Sequence, residues 1–150
     1  MLDVLAVLSV VVLGLSAGVF FAFSTFVVAG LRRAEDAEAG AVMNGINAEA
    51  VRPPFMVVFG GALLVPLATT VWAYAQDDAG AAWFLAATAL YALGSFGVTV
   101  VLNVPLNNGL LVAPDVGEGW RDFHGPWTRW NHVRTVSATI AAALAVVGLL

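Results

Sequence analysis

Between Asn103 and Arg134 the chain gathers most of the side chains that can act on a ligand: the amides of Asn103, Asn107, Asn108 and Asn131, the indoles of Trp127 and Trp130, the imidazoles of His124 and His132, and the cation of Arg134. Amides orient a carbonyl or a hydroxyl, an indole stacks on a flat ring, and a guanidinium holds an oxyanion. This set suits a planar, acidic, apolar molecule such as a phenol, a quinol or an enolate. Trp127, Trp130, Asn131 and Arg134 fall at i, i+3, i+4 and i+7, so a helix puts them on one stripe. Asn103 and Asn107 share a face at i, i+4 if their helix persists past Pro105, and their other use is to cap the carbonyls of a broken helix.

Other chemistries fit less well. With no cysteine, disulfides, thiolate metal sites and thiol-to-quinone relays are excluded. No carboxylate lies deep in an apolar run, which argues against a carboxylate di-metal site or a proton wire. The two histidines make a poor axial pair for haem, since His124 reads as a loop residue and His132 as an early helical one. A mononuclear metal on these two with Glu49 or Asp122 is a minor alternative; no metal site is assigned, and the cofactor is left open. No Ser/His/Asp or phosphate-loop spacing stands out, and no basic run points to nucleic acid.

The elements that must position this cluster are membrane spans. The 150 residues are 61% hydrophobic and 11% charged, with mean hydropathy +0.91; a soluble domain is nearer a quarter charged. A single domain, 1–150, is expected, all-α, built as an integral membrane four-helix up-down-up-down bundle. The apolar runs place spans at Leu2–Leu31, Pro53–Ala75, Ala81–Leu102 and Pro126–Leu150. The start Met1-Leu2-Asp3 lacks the basic region of a cleaved signal, and the first run is too long for one. Gly14 and Gly18 form a G-x-x-x-G that reads as packing inside the bundle. Pro66 should kink the second span, and Pro53-Pro54 and Pro126 open helices at first-turn positions. Within Ala34–Val51, Met43, Ile46 and Ala50 at helical spacing give a short amphipathic connector helix at the interface. Asn44 and Asn47 lie on its neighbouring face, either solvated or closing a pocket. Gly109–Gly125 reads as a loop.

Chain order then brings the end of span one, the start of span two, the end of span three and the start of span four to one side of the membrane. That side holds all six arginines, so the positive-inside rule makes connectors 32–52 and 106–126 cytoplasmic and both termini external, in a multi-pass protein of the cell (inner) membrane. From Arg134 to Leu150 there is about 24 Å of helix against a core of roughly 30 Å. Arg134 therefore lies several Å inside the near edge, snorkelling to headgroups or serving a site, while Trp127 and Trp130 sit at the interface as belt or binding residues.

Five blocks carry a family resemblance: Phe20-Phe21-Ala22-Phe23-Ser24-Thr25-Phe26, Met43-Asn44-Gly45-Ile46-Asn47, Arg52-Pro53-Pro54-Phe55-Met56, Asn103-Val104-Pro105-Leu106-Asn107-Asn108 and Trp127-Thr128-Arg129-Trp130-Asn131-His132-Val133-Arg134-Thr135. In this order, over essentially the whole chain, the sequence resembles the bacterial anthrone-oxygenase-like family of small four-helix membrane proteins. The resemblance implies an intramembrane or interfacial oxygenase that oxidises an anthrone-, phenol- or quinol-like substrate with dioxygen. On that expectation Arg134 and Asn131 stabilise the substrate oxyanion and His132 or His124 is the base. Asn103 and Asn107 orient the substrate, and Trp127, Trp130 and Asn47 complete the binding surface. The expected partners are the bilayer and an apolar aromatic small molecule; the oligomeric state, a homo-oligomer included, stays open. The rival readings are a small-amphiphile binding or transport module and a structural membrane subunit.

Overall fold

The structure, a computed structural model, describes all residues from Met1 to Leu150. It is all-helical: α1 (Leu2–Leu31), α2 (Asp36–Ala50), α3 (Pro53–Ala75), α4 (Ala81–Leu111) and α5 (Val116–Leu149). Four of these, all but α2, are long and apolar enough to cross a membrane. Length and hydropathy make this a multi-pass membrane protein.

Contacts between neighbours pair early residues of one helix with late residues of the next. Ser9 and Thr69 hydroxyls meet at 2.8 Å between α1 and α3, and Thr70 and Thr88 at 3.1 Å between α3 and α4. Asn107 meets Trp127 between α4 and α5, and near the opposite end a Cβ on Gly80 would strike the Gly148 carbonyl. The core along the spans is built from small and aromatic residues, including Ala17, Ala62, Ala87, Ala138, Ala141, Phe20, Phe59, Phe84 and Tyr91. Small side chains let helices approach in lipid, where packing and interhelical hydrogen bonds replace the hydrophobic drive. Gly94 shows the need: a Cβ there would lie 2.1 Å from the Ser137 hydroxyl and 2.6 Å from its Cβ. Tyr91 is fully buried in the bundle, its hydroxyl 2.8 Å from that of Ser16 and donating to the Phe59 carbonyl at 3.2 Å.

Several expectations from the sequence are corrected. α5 begins at Val116, ten residues before Pro126, and takes in most of the stretch read as a loop. Its start is capped by Asp115, whose carboxylate accepts from the Glu118 amide at 2.9 Å. That is the Asp-x-x-Glu signature of a helix N-terminus, with the acid at the positive end of the dipole. Pro126 therefore sits inside a helix, which packing of Trp120 and Phe123 holds together. α4 runs through Pro105 to Leu111 rather than ending near Leu102. Two π-helical segments, Ala92–Gly97 and Thr99–Asn103, lead up to that proline. A wider turn relieves the clash between the proline ring and the preceding carbonyls, so the helix continues. Gly14 and Gly18 are exposed, with nothing near a Cβ built on either, so this pair lies outside the bundle packing.

The connector helix α2 is also more integrated than an interfacial strap. Ala39, Gly40 and Met43 are buried against the first turns of α5. A Cβ on Gly40 would lie 2.7 Å from the Val116 carbonyl, so only glycine permits this approach. Val28, Ala39, Met43, Leu110, Trp120, Phe123 and Trp127 form a second apolar core, which fastens α2 to the ends of α1 and α4 and the start of α5. On the outer surface, Arg121 binds Asp36 at 3.0 Å.

Candidate functional site

A cavity of about 290 Å³ lies between this second core and the core of the spans. Each helix contributes to its wall. α1 supplies Val19, Phe20 and Phe23; α2 supplies Met43, Ile46, Asn47 and Ala50; α3 supplies Phe55, Met56 and Phe59. α4 supplies Phe96, Thr99, Val100, Val104 and Asn107, and α5 supplies Trp127, Asn131 and Arg134. The aromatic part is continuous: Phe59 stacks on Phe55 at 5.7 Å and on Phe96 at 5.1 Å, and Phe23 leans on Trp127 at 5.6 Å.

Arg134 is the charged group of this wall and is 5% exposed. It does not snorkel. Its guanidinium lies between two rings, with Cζ 4.6 Å from the Phe20 centroid and 5.0 Å from Trp127. Nη2 donates to the Asn131 side-chain oxygen at 2.7 Å and Nη1 to the Thr99 hydroxyl at 3.2 Å. Nε is buried without a partner. Every partner is neutral, so the positive charge is hydrogen-bonded and stacked but uncompensated. Such a cation is costly in an apolar setting and attracts an anion strongly when one arrives.

The chain braces this cation in layers. Asn131 turns its oxygen to Arg134 and donates from Nδ2 to the Phe20 carbonyl at 2.8 Å and to the Ser24 hydroxyl at 2.7 Å. The α-to-π switch at Phe23–Val27 begins just after Phe20, and the hydroxyls of Ser24 and Thr135 are 2.8 Å apart. Ser95, in the π-segment of α4, donates to the Arg134 carbonyl at 3.1 Å. Single π-turns of this kind shift helix register and cluster at functional sites.

The residues singled out in the sequence fall into three places. Arg134, Asn131, Asn107, Trp127 and Asn47 line the cavity. The Asn107 oxygen accepts from the Trp127 indole at 2.8 Å, and the Nδ2 of Asn47 is buried without a partner. Asn103 lies behind the wall: fully buried, it donates to the Trp127 carbonyl at 3.3 Å and leaves its own oxygen unpaired. It supports the tryptophan rather than facing a ligand. Trp130 and His132 are outside. His132 follows Asn131 by one residue, about 100° around the helix, and is exposed, so it does not reach the cavity as a base. His124 is half-buried against Trp120, with ring centroids 5.4 Å apart. No group of three or more His, Cys, Asp or Glu is placed to hold a metal, so the set of His124, His132 and Glu49 or Asp122 is not assembled.

Sequence reasoning missed the cavity's phenylalanines and Thr99. Phe55, Phe59 and Phe96 fall in apolar runs where every position looks alike. Their signal is available only once the neighbouring helices are known.

No curated protein and no solved structure matches the chain. A family model described as anthrone oxygenase matches residues 55–144. That stretch begins at the first aromatic of α3 and ends beyond Arg134, and it includes Thr99, Asn107, Trp127 and Asn131 from the cavity wall. With more than half of its length matched, and its polar blocks in the expected order, the chain belongs to the anthrone oxygenase family.

Proposed function

We propose that this protein oxidises a planar phenol- or anthrone-like molecule with dioxygen inside the aromatic cavity. The observation that carries the reading is Arg134: a buried cation with no carboxylate partner and a free Nε. It stands in a wall of phenylalanine and tryptophan that accepts a flat ring. The substrate's oxygen lies against Arg134 and Asn47, and its rings stack among Phe20, Phe59, Phe96 and Trp127.

The reaction begins with loss of a proton from the methylene of the anthrone, whose negative charge delocalises onto the ring oxygen. A hydrogen bond to a charged group is worth about 1.5–3 kcal/mol, which favours the ionised form by roughly one to two pH units. The carbanion carbon donates an electron pair to dioxygen, forming a carbon–oxygen bond, and the peroxide takes up a proton. Loss of water, with the second methylene proton, leaves a carbonyl. The balance is CH2 + O2 → C=O + H2O. The cavity wall offers no imidazole, carboxylate or thiol, so stabilisation of the anion, rather than a general base, is the protein's contribution.

The same feature favours a second reading, in which the cavity binds an acidic aromatic amphiphile without converting it. Oxygen uptake separates the two. Protein in lipid nanodiscs is given anthrone, and anthraquinone formation and oxygen consumption are followed against protein-free discs. Acceleration is expected from the native chain. Arg134→Met keeps bulk and removes charge, so it should lose about 100-fold or more of that acceleration. A folded Arg134→Met protein that turns over anthrone at the native rate would falsify the role of the cation. A native chain that binds anthrone without oxygen uptake leaves the second reading.

A further inference from the structure

The cavity is closed toward the start of α5 and opens on the outer surface of the bundle. Toward the start of α5 it is sealed by the apolar core of Val28, Met43, Trp120 and Phe123, all nearly inaccessible. On the other side its wall reaches the outer surface of the bundle. Met56 is 43% exposed, Val100 50% and Val104 40%, and Val51 beside them is 74% exposed, yet all four also line the cavity. Val51 is in the turn between α2 and α3, Met56 on the first turns of α3, and Val100 and Val104 on the later part of α4. α3 packs on α4 along Ala81–Tyr91 and at the Ala92–Gly97 segment, but makes no substantial contact with Thr99–Asn103 or Val104–Leu111. The π-segments that precede Pro105 therefore coincide with the place where α4 leaves α3 and stays with α5.

We propose that this gap is a lateral window through which the substrate enters from the bilayer. The claim rests on the reading of the cavity as a substrate site and narrows its substrate class to lipid-dissolved aromatics. The rim is wholly aliphatic, so nothing there replaces the hydration of a polar solute, whereas a molecule dissolved in acyl chains loses nothing by passing it. The polar groups, Arg134 and Asn47, are inside. A cavity of about 290 Å³ is at the small end of ligand sites, roughly 300–1,000 Å³. It accommodates a compact ring system and leaves any alkyl or isoprenoid substituent in the window, between α3 and α4. The substrate is thus an aromatic head group whose apolar remainder stays in lipid.

The native chain has no cysteine, so Ile46→Cys places the sole thiol on the cavity side of α2. Full-length protein in nanodiscs is labelled with N-dodecylmaleimide, which partitions into lipid, or with a sulfonated maleimide, which does not. The alkyl reagent should react at least ten-fold faster at equal bulk concentration. Adding Val100→Phe and Val104→Phe should slow the alkyl reagent at least ten-fold, and Leu93→Phe, on the exposed face of α4 away from the window, should not. Equal rates for the two reagents, no reaction with either, or indifference to the phenylalanines at 100 and 104 would each overturn the window. Labelling needs no turnover, so a failed window and a failed oxygenase reading give different results.

Discussion

Arg134 is a buried cation without a counter-charge, held at some cost to the fold. Its two Nη groups are held by Asn131 and Thr99, and its faces are covered by Phe20 and Trp127, but no negative charge answers it. Hydrogen bonds between membrane helices are individually modest, averaging about 0.6 kcal/mol, so the bracing layers position the cation more than they offset its burial. The arrangement predicts what an internal counter-charge should do. Thr99→Asp places a carboxylate where Nη1 already points. The protein should keep its thermal midpoint or gain a little, because a buried charge becomes paired, while anthrone oxidation falls about 10- to 100-fold. A fold-neutral Thr99→Asp variant with undiminished turnover would show that the free charge is not used on substrate. At this scale the sequence was informative about Asn131, Arg134 and Trp127, because helical spacing alone puts them on one stripe. It misled on His132, where a single residue's offset turns the ring outward, and on Asn103, whose burial behind Trp127 depends on α4 continuing past Pro105.

At the scale of elements, glycine and proline carried two meanings. Gly109–Gly125, with Pro114, Gly117 and Gly119, read as a loop and Pro126 as the start of the next helix, since these residues punctuate most chains. In the folded protein Gly117 and Gly119 belong to α5, and Gly119 permits close contact: a Cβ there would lie 2.6 Å from that of Ala113. Tertiary contact overrides propensity here, because Trp120 and Phe123 are buried against α2 and gain more than the glycines cost. The four spans were legible because length and hydropathy are properties of one segment; the start of α5 was not, because it depends on a partner helix. The seat of α2 can be tested through Gly40. Gly40→Leu should lift α2 from α5, speeding amide exchange over Asp36–Ala50 by at least ten-fold and lowering turnover. Arg121→Gln removes the bridge to Asp36, which solvent screens, and should leave both nearly unchanged. If the two variants behave alike, α2 is held by surface charge rather than by the apolar seal.

For the molecule as a whole, charge and cavity coincide. The chain has six basic side chains, all arginine, and they lie at Arg32, Arg33, Arg52, Arg121, Arg129 and Arg134. Arg32, Arg33 and Arg52 are on the connectors around the cavity and Arg121, Arg129 and Arg134 are on α5, whereas the turn between α3 and α4 and the start of α1 carry Asp77, Asp78 and Asp3. Loops rich in arginine stay in the cytoplasm during insertion. By that rule we propose that the cavity and its window lie in the cytoplasmic leaflet. A lipid-dissolved phenol synthesised inside the cell would meet the protein there without crossing the membrane. Reporters fused at Leu150 and inserted at Asp78 check the orientation, one active only in the cytoplasm and one only outside. Both positions should read as external, and converting Arg32, Arg33 and Arg52 to glutamine should weaken that preference. A cytoplasmic signal at either site in the native chain would put the cavity in the outer leaflet. The window argument would survive, but the substrate would have to arrive from the other face.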